Sequence, residues 1–380
     1  MQKAKTILFV HNALALWGGI ERIWIDRMNF LADECGYKVY IATTDQGTHR
    51  IPYAMSPKIQ HVDFNIRFHT AYSTPIPFRF FTIWKNNQKF KKELRKLIHR
   101  INPSIITSTT SQFVELIQSV RGDIPYIIES HSGLKDITTI GSQKLIWIRK
   151  QQKKRYLRSI SKASILICLT EKDAEDWKEI KQSIVIPNAA HLNPSDEFCT
   201  STNKRVIFAG RFSQQKGIKY LIEIWKKTHE KHPDWQLDIY GEGEDKPHWV
   251  NIINSYPDKF NINVFDPTPN IFDRYRESSI FVLTSVYEPF GLVIPEAMSC
   301  GLPVISFRSP YGPESIIDYG SGILVDCYDT DMFAKQLCLL IENPEIRRKM
   351  GKNAIQSAQR YSINNIMSTW LKLYDDLTTE

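Results

Sequence analysis

Residues 279–307 read SIFVLTSVYEPFGLVIPEAMSCGLPVISF. The two ends, SIFVLTS and LPVISF, are short apolar runs without strict alternation, the pattern of strands covered on both faces. Between them Gly291, Leu292 and Pro295 mark a helix start, where a proline's missing N–H costs little, and Gly301 is placed to end the helix. Strand, helix and strand at this spacing make the unit of a parallel sheet. Two carboxylates, Glu288 and Glu296, sit eight positions apart around the helix start. The helix dipole alone accounts for acids there. A site for hydroxyl pairs would use the same residues, because one carboxylate accepts two hydroxyl hydrogen bonds.

The same alternation runs along the whole chain. TILFV (6–10), KVYIAT (38–43), SIITST (104–109), PYIIES (125–130), SILICL (164–169) and SIVIP (183–187) form a first series of strands. RVIFAG (205–210), WQLDIYG (235–241), INVF (262–265) and SGILVD (321–326) join the two runs above in a second. The polar, turn-rich stretch 188–205 lies between the series and reads as a linker. Two doubly wound parallel-sheet α/β domains are therefore expected, over residues 1–190 and 200–360, facing a central cleft. Ligands in such sheets bind beyond the carboxyl ends of the strands. The 380-residue length suits two cores better than one.

Composition narrows the partners. The chain carries a net charge of +8, unevenly placed: residues 1–200 hold 29 Lys+Arg against 18 Asp+Glu (+11), and residues 201–380 hold 20 against 23 (−3). The densest basic run, residues 79–100, has eight Lys/Arg and one acid, with Phe80, Phe81 and Trp84 at its start. A second run covers 149–162. Basic residues mixed with aromatics suit an anionic membrane surface; two solvated helix faces are the simpler alternative. No zinc-finger spacing or RNP-type motif points to nucleic acid. No segment is long and apolar enough to span a bilayer. The N-terminal MQKAKTILFVHN reads as a first strand rather than a signal peptide. Six cysteines without a C-x-x-C pair suit a reducing compartment, and cytoplasmic residence is expected.

The strand ends carry the candidate chemistry. Arg211 and Lys216 lie on the loop after RVIFAG, two cations able to grip an anion beside a helix N-terminus; a solvated loop with incidental charge is the alternative. The loop lacks a P-loop pattern. Gly241-x-Gly243 follows another strand and either admits a ligand to the backbone or makes a tight turn. Gly18 and Gly19 precede the first helix, where paired glycines permit close approach to a phosphate or sugar; Glu21 beside them can pair locally. Glu129 and His131 end the PYIIES strand, and a histidine there is a candidate polar contact to substrate. Backbone N–H groups at Phe290, Gly291 and Leu292 complete the set. Asp329-Thr330-Asp331 opens a late helix and reads as a cap, so no metal site is expected.

EPFGLVIPE resembles the E-x7-E motif of the retaining GT-B glycosyltransferases of family 4 (group 1). GRFSQQKG, SCGLPVIS and SPYGPESIID match in order and spacing, and WGGIER and ESHSG match more loosely in the first half. The resemblance implies two Rossmann-like domains, with the final helix (362–380) crossing back to the first. It implies a nucleotide-sugar donor, usually a UDP-sugar, and no metal or other cofactor. Arg211 and Lys216 would bind the diphosphate. Glu288 would contact the transferred sugar, with backbone at Phe290, Gly291 and Leu292, and Glu296 would hold the ribose. Gly18 and Gly19 would line the diphosphate and acceptor side, Gly241 the donor, and His131 the reacting sugar. Glu288 and His131 are then the candidate catalytic residues. The acceptor would be a lipid-linked or lipopolysaccharide- or capsule-type glycan, reached at the inner face of the plasma membrane by a peripheral enzyme. A non-catalytic sugar-nucleotide-binding protein of the same fold is the alternative.

Overall fold

The computed structural model describes residues 5–15, 18–110, 113–134 and 146–379. Met1–Ala4 at the head of the expected first strand, and Leu16 and Trp17 before the glycine pair, fall outside them, as do the side chains of Arg149, Lys150 and Gln152 in the second basic run. The chain divides into two units, residues 1–186 with 367–380, and residues 187–366.

The first unit holds a seven-stranded sheet in the order β3-β2-β1-β4-β5-β6-β7. Its strands are β1 (Thr6–His11), β2 (Lys38–Thr43), β3 (Gln60–Asp63), β4 (Ile105–Thr109), β5 (Tyr126–Glu129), β6 (Ile165–Cys168) and β7 (Ser183–Val185). Every pairing is parallel. Helices α1 (Gly19–Asp33), α2 (Ile76–Ile101), α3 (Val114–Gln118), α4 (Ile146–Ile160) and α5 (Glu171–Asp176) connect them. All six residues of β1 are buried, as central parallel strands require. Strand β3 has no counterpart among the sequence-read strands. It is QHVD, a polar sequence tolerated because it sits at the sheet edge and pairs only with β2.

The second unit repeats the plan with six strands in the order β10-β9-β8-β11-β12-β13. They are β8 (Arg205–Ala209), β9 (Gln236–Tyr240), β10 (Ile262–Phe265), β11 (Ile280–Leu283), β12 (Val304–Phe307) and β13 (Gly322–Val325), again all parallel. Between and after them come α6 (Ile218–His229), α7 (Lys246–Asn254), α8 (Ile271–Arg276), α9 (Val293–Ser299), α10 (Gly312–Ile316), α11 (Thr330–Glu342) and α12 (Pro344–Ala358). The last helix, α13 (Ile363–Thr378), changes unit between Ile366 and Met367. It buries Ile366, Met367, Trp370, Leu373 and Tyr374, which share one face at helical spacing.

The polar stretch 188–205 is fastened rather than free. Asn193 N–H donates to Ser299 Oγ (2.8 Å), Arg276 donates to Asn193 Oδ1 (2.8 Å), Cys199 N–H donates to Cys300 O (2.8 Å) and Ala190 N–H donates to Tyr361 O (2.9 Å). Its turn-rich composition is met by hydrogen bonds to the body of the second unit, which a sequence cannot display.

In each sheet the strand order reverses once, between β1 and β4 and between β8 and β11. Adjacent loops leave such a point in opposite directions and open a crevice at the strand ends.

Candidate active site

At the switch point of the second sheet, the loops after β8 and β11 are laced together. Val286 N–H donates to Gln215 O (2.9 Å), Gln215 Nε2 donates to Tyr287 O (2.9 Å), and Thr284 Oγ1 donates to Lys216 O (3.1 Å). Gly217 makes this approach possible. It has φ +65°, and a Cβ there would lie 2.1 Å from Thr284 O. The lacing delivers Lys216 Nζ to Glu288 Oε2 in an ion pair whose side chains are only 13% and 8% exposed. Ser285 Oγ donates to the same oxygen at 3.1 Å. Both bonds fall on Oε2, and among the described residues none is made to Glu288 Oε1. Arg211, on the same loop as Lys216, is exposed.

The segment after Glu288 is set by two glycines. Gly291 has φ +90° and turns the chain into α9, whose first residue is Val293. A Cβ on Gly312 would lie 1.8 Å from Phe290 O, and Gly312 N–H donates to Glu288 O (2.9 Å). The SPYGPESIID segment therefore buttresses the E-x7-E loop through this backbone approach, and the Tyr311 ring packs edge-on against Tyr287 (5.7 Å). Pro295 lies in the first turn of α9, and Gly301 (φ +84°) follows its end, with Leu302 N–H bonded to Ala297 O (3.3 Å). Among the described residues, the N–H groups of Phe290, Gly291 and Leu292 donate no backbone hydrogen bond. Glu296 is buried in the first turn of α9. Gly241 packs against its own fold: a Cβ would meet Gly210 O at 1.9 Å, which keeps the loops after β8 and β9 in contact.

In the first unit, Gly18 caps α1 in an extended conformation and Gly19 is its first residue. A Cβ on Gly18 would lie 2.1 Å from Glu21 Oε2, so the glycine makes room for that buried carboxylate. Glu21 Oε1 faces His11 Nε2 at 3.8 Å, the local pairing open to it from the sequence. His11 ends β1 and is buried, with neither ring nitrogen hydrogen-bonded. Beyond it stands Trp24, its ring 5.2 Å from His11, donating its Nε1–H to Glu129 Oε2 (3.1 Å).

Glu129 is the hub of this cluster. Oε1 takes Arg27 Nη2 and Thr107 Oγ1 (3.0 Å); Oε2 takes Trp24 Nε1 and His131 Nε2 (3.1 Å). Burial pushes its pKa up, but the Arg27 charge and the His131 hydrogen bond outweigh burial and hold it well below the usual range, at about 2. The Arg27 guanidinium lies 3.9 Å from the Trp370 ring of α13. Ser130, between Glu129 and His131, is held by Trp177 Nε1 (3.2 Å) and donates to Asp173 Oδ1 (3.3 Å). Burial raises the Asp173 pKa to about 6, and its hydrogen bonds to Ser130, Leu169 and Trp177 only partly offset that.

The structure thus brings Lys216 to Glu288, places Phe290, Gly291 and Leu292 directly after them, and puts Glu296 one turn into the following helix. In the other unit it ties His131 to Glu129. Sequence reading passed over Arg27, Trp24, Thr107 and Ser285. Arg27 did leave a signal: it interrupts the stripe of Trp24, Met28 and Leu31 on the apolar face of α1, where a charge needs a buried partner. Asp329 accepts from Met332 N–H (2.9 Å), and its two neighbours bond to Lys227. Among the described residues, no three His, Cys, Asp or Glu side chains gather as a metal site. All six cysteines are unpaired, and burial pushes the Cys300 thiol up to about 12.

Two family models match, end to end. Residues 17–193 match the model described as Glycosyltransferase Family 4, and residues 194–357 match Glycosyl transferases group 1. An uncharacterized glycosyltransferase of Haemophilus influenzae is 26% identical over 364 residues, covering 93% of this chain and 95% of that protein. The amylovoran biosynthesis glycosyltransferase AmsD of Erwinia amylovora is 32% identical over 179 residues, 47% of this chain and half of its own length. Among solved structures, a glycine-to-arginine mutant of S. aureus TarM, in complex with Fondaparinux, alpha-GlcNAc-glycerol and UDP, superposes over 98% of this chain and 100% of its own with a TM-score of 0.77 at 18% identity. With two switched parallel sheets and both halves matched by glycosyltransferase models, the chain belongs to the glycosyltransferases of the GT-B type.

Proposed function

We propose that the chain is a retaining glycosyltransferase that takes a sugar from a nucleotide sugar, a UDP-sugar first among them, and adds it to a lipid-linked or lipopolysaccharide- or capsule-type glycan. The observation that carries the reading is the half-used carboxylate at the β8/β11 switch point. Glu288 is fixed through Oε2 by Lys216 and Ser285, and Oε1 stays open to accept sugar hydroxyls. Lys216 has further donors for the diphosphate, and exposed Arg211 can close on it with two parallel hydrogen bonds. As the glycosidic bond to phosphate breaks, positive charge grows on the sugar and negative charge on the leaving diphosphate. Lys216, Arg211 and the N–H groups at Phe290–Leu292 stabilise the negative charge, the electrostatic contribution that usually dominates such catalysis. These cations carry the leaving group's charge in this reading, so it requires no metal. Glu296 holds the ribose, Gly18, Gly19 and Gly241 border the donor and acceptor, and His131 contacts the reacting sugar. The test is a panel of UDP- and GDP-sugars assayed for donor hydrolysis, with the product anomer read by NMR. Retention with a UDP-sugar supports the reading. Binding without turnover of any sugar would make the chain a non-catalytic binding protein.

The partner proposed for the first unit is an anionic membrane carrying the acceptor. Helix α2 buries Phe90, Leu94 and Leu97, while Phe78, Phe80, Phe81 and Trp84 in its first turns are exposed by between 57% (Trp84) and 75% (Phe80). Tyr72 just before the helix is 69% exposed. Further along the exposed face come Lys85, Lys89, Lys92, Arg95, Lys96 and Arg100. An aromatic end followed by a cationic stripe matches an interface of acyl chains and anionic headgroups, where each cation is worth about 1 kcal/mol. No helix among the described residues is long and apolar enough to cross a membrane. Binding to phosphatidylglycerol vesicles should fall with salt and with charge reversal at Lys89, Lys92 and Lys96. Binding indifferent to both would remove the membrane from the proposal.

A further inference from the structure

We infer that Glu129 is the positioning residue for His131, fixing its imidazole with Nε2–H turned inward and Nδ1 as the ring atom offered to substrate. This deepens the proposed function and rests on the reading that His131 works in sugar transfer.

Glu129 is buried at the last position of β5 and receives four donors, two on each oxygen. An ionised carboxylate only accepts. The Arg27 guanidinium beside it keeps it ionised across the physiological range. His131 Nε2, 3.1 Å from Oε2, must therefore carry its proton and donate it. In the neutral ring that leaves Nδ1 bare, an acceptor for one sugar hydroxyl; in the imidazolium Nδ1 becomes a donor. Either way Nε2 is committed and the ring cannot flip without breaking a buried bond.

The carboxylate itself cannot move. Arg27 and Thr107 hold its other oxygen, Trp24 shares the one that His131 uses, and the Arg27 guanidinium lies against Trp370. The backbone joining Glu129 to His131 is clamped separately. Ser130 N–H donates to Ile167 O (2.8 Å), while its hydroxyl is held by Asp173 and Trp177. Ring and loop are thus anchored from opposite sides, the arrangement that preorganises a working side chain. Trp370 comes from the far end of the chain, so the seating of α13 bears on His131 through Arg27 and Glu129.

The experiment uses the full chain labelled with 15N-histidine. The His131 signals are identified by their loss in His131→Asn, and NMR reads which ring nitrogen holds the proton. Removing Glu129 alone would strand the Arg27 charge in the interior. The variant is therefore the double substitution Arg27→Met with Glu129→Gln, which removes both charges together. Glu129→Asp, which keeps the charge but shortens the reach, is the second. In the unsubstituted protein His131 should show the Nε2–H tautomer, and in the double variant a mixture. Release of UDP from the UDP-sugar chosen by the donor panel should slow by up to about 100-fold in kcat, the scale on which misplaced groups act. The KM for that sugar and the calorimetric affinity for UDP should stay unchanged. An Nδ1–H tautomer in the unsubstituted protein, or an unaltered Nε2–H tautomer in the double variant, overturns the positioning role. If the tautomer changes as expected but His131→Asn transfers at the normal rate, it is the role of His131 in catalysis that fails.

Discussion

Glu288→Gln separates the two partners of the β8/β11 site and gives a prediction with opposite signs in two assays. Glutamine keeps the volume and can still accept from Ser285, but Lys216 loses its counter-charge in a place where its side chain is 13% exposed. Removing one member of a buried pair costs about 3–5 kcal/mol, and the partial access of water to Lys216 puts this case near the lower end, about 3. For a unit of this size that lowers Tm by roughly 6–12 °C. UDP then restores what the substitution removed, because its diphosphate supplies an anion to the stranded lysine. In the unsubstituted protein the same diphosphate must share Nζ with Glu288 and approach a carboxylate. A charge-assisted hydrogen bond regained in this way is worth about 1.5–3 kcal/mol, so UDP should bind the variant about 10- to 100-fold more tightly. Sugar transfer should nevertheless collapse, since the open acceptor for the sugar hydroxyls is gone. Scanning calorimetry with and without UDP, isothermal titration and a donor-hydrolysis assay measure the three quantities. A Tm within about 2 °C of normal, or UDP bound more weakly than before, would mean that Lys216 does not depend on Glu288 for its counter-charge.

Arg211→Ala should weaken UDP binding by about 10- to 100-fold, the loss of a bidentate phosphate contact, with Tm unmoved because the side chain is exposed; unchanged calorimetric affinity counts against the clamp. Gly312→Ala should destabilise by more than about 2 kcal/mol in urea titrations, because its methyl group would be driven into the Phe290 carbonyl; a neutral effect would mean the buttress is loose. Glu129 has its pKa lowered to about 2, so its stabilising contribution is complete above its ordinary value of 4.5 and is lost as pH falls through 2. That shift is worth about 3 kcal/mol. Urea unfolding from pH 5 to pH 2 should show that loss in the unsubstituted protein and not in the Arg27→Met, Glu129→Gln double variant.

The sheets were legible in the sequence for a physical reason. Parallel strands covered on both faces need unbroken apolar runs, and segments such as SIITST and SIFVLTS can hardly be read otherwise. QHVD escaped notice because an edge strand with one neighbour is released from that requirement. The candidate site was legible residue by residue and illegible as a set of contacts. Lys216 and Glu288 each stand out in their own motif, yet their ion pair closes over 72 positions, and it is the lacing of the two loops, with Gly217 close against Thr284, that brings it about. Glu129 and His131 are neighbours in the sequence, but the carboxylate's fate is decided by Arg27 from α1 and by Trp370 against Arg27. Those contacts are tertiary, and periodicity carries no information about them.

Within the proposed function, hydrogen bonding distinguishes the roles of the two site carboxylates, Glu129 and Glu288. Both are buried and both face a cation, so charge and burial alone would rank them together. Counting acceptors separates them. Glu129 has two donors on each oxygen and nothing left to offer, so in the proposed reaction it acts on substrate only through the histidine it orients. Glu288 receives both its donors on one oxygen. A carboxylate half saturated by the protein, and held still by that half, is preorganised to accept hydroxyl hydrogen bonds on the other. Filling Oε1 from within the fold is therefore the sharpest perturbation of the site. A side-chain donor engineered beside Glu288 should leave the Lys216 pair and UDP affinity intact while abolishing sugar transfer, an outcome that loss of the diphosphate clamp would not produce.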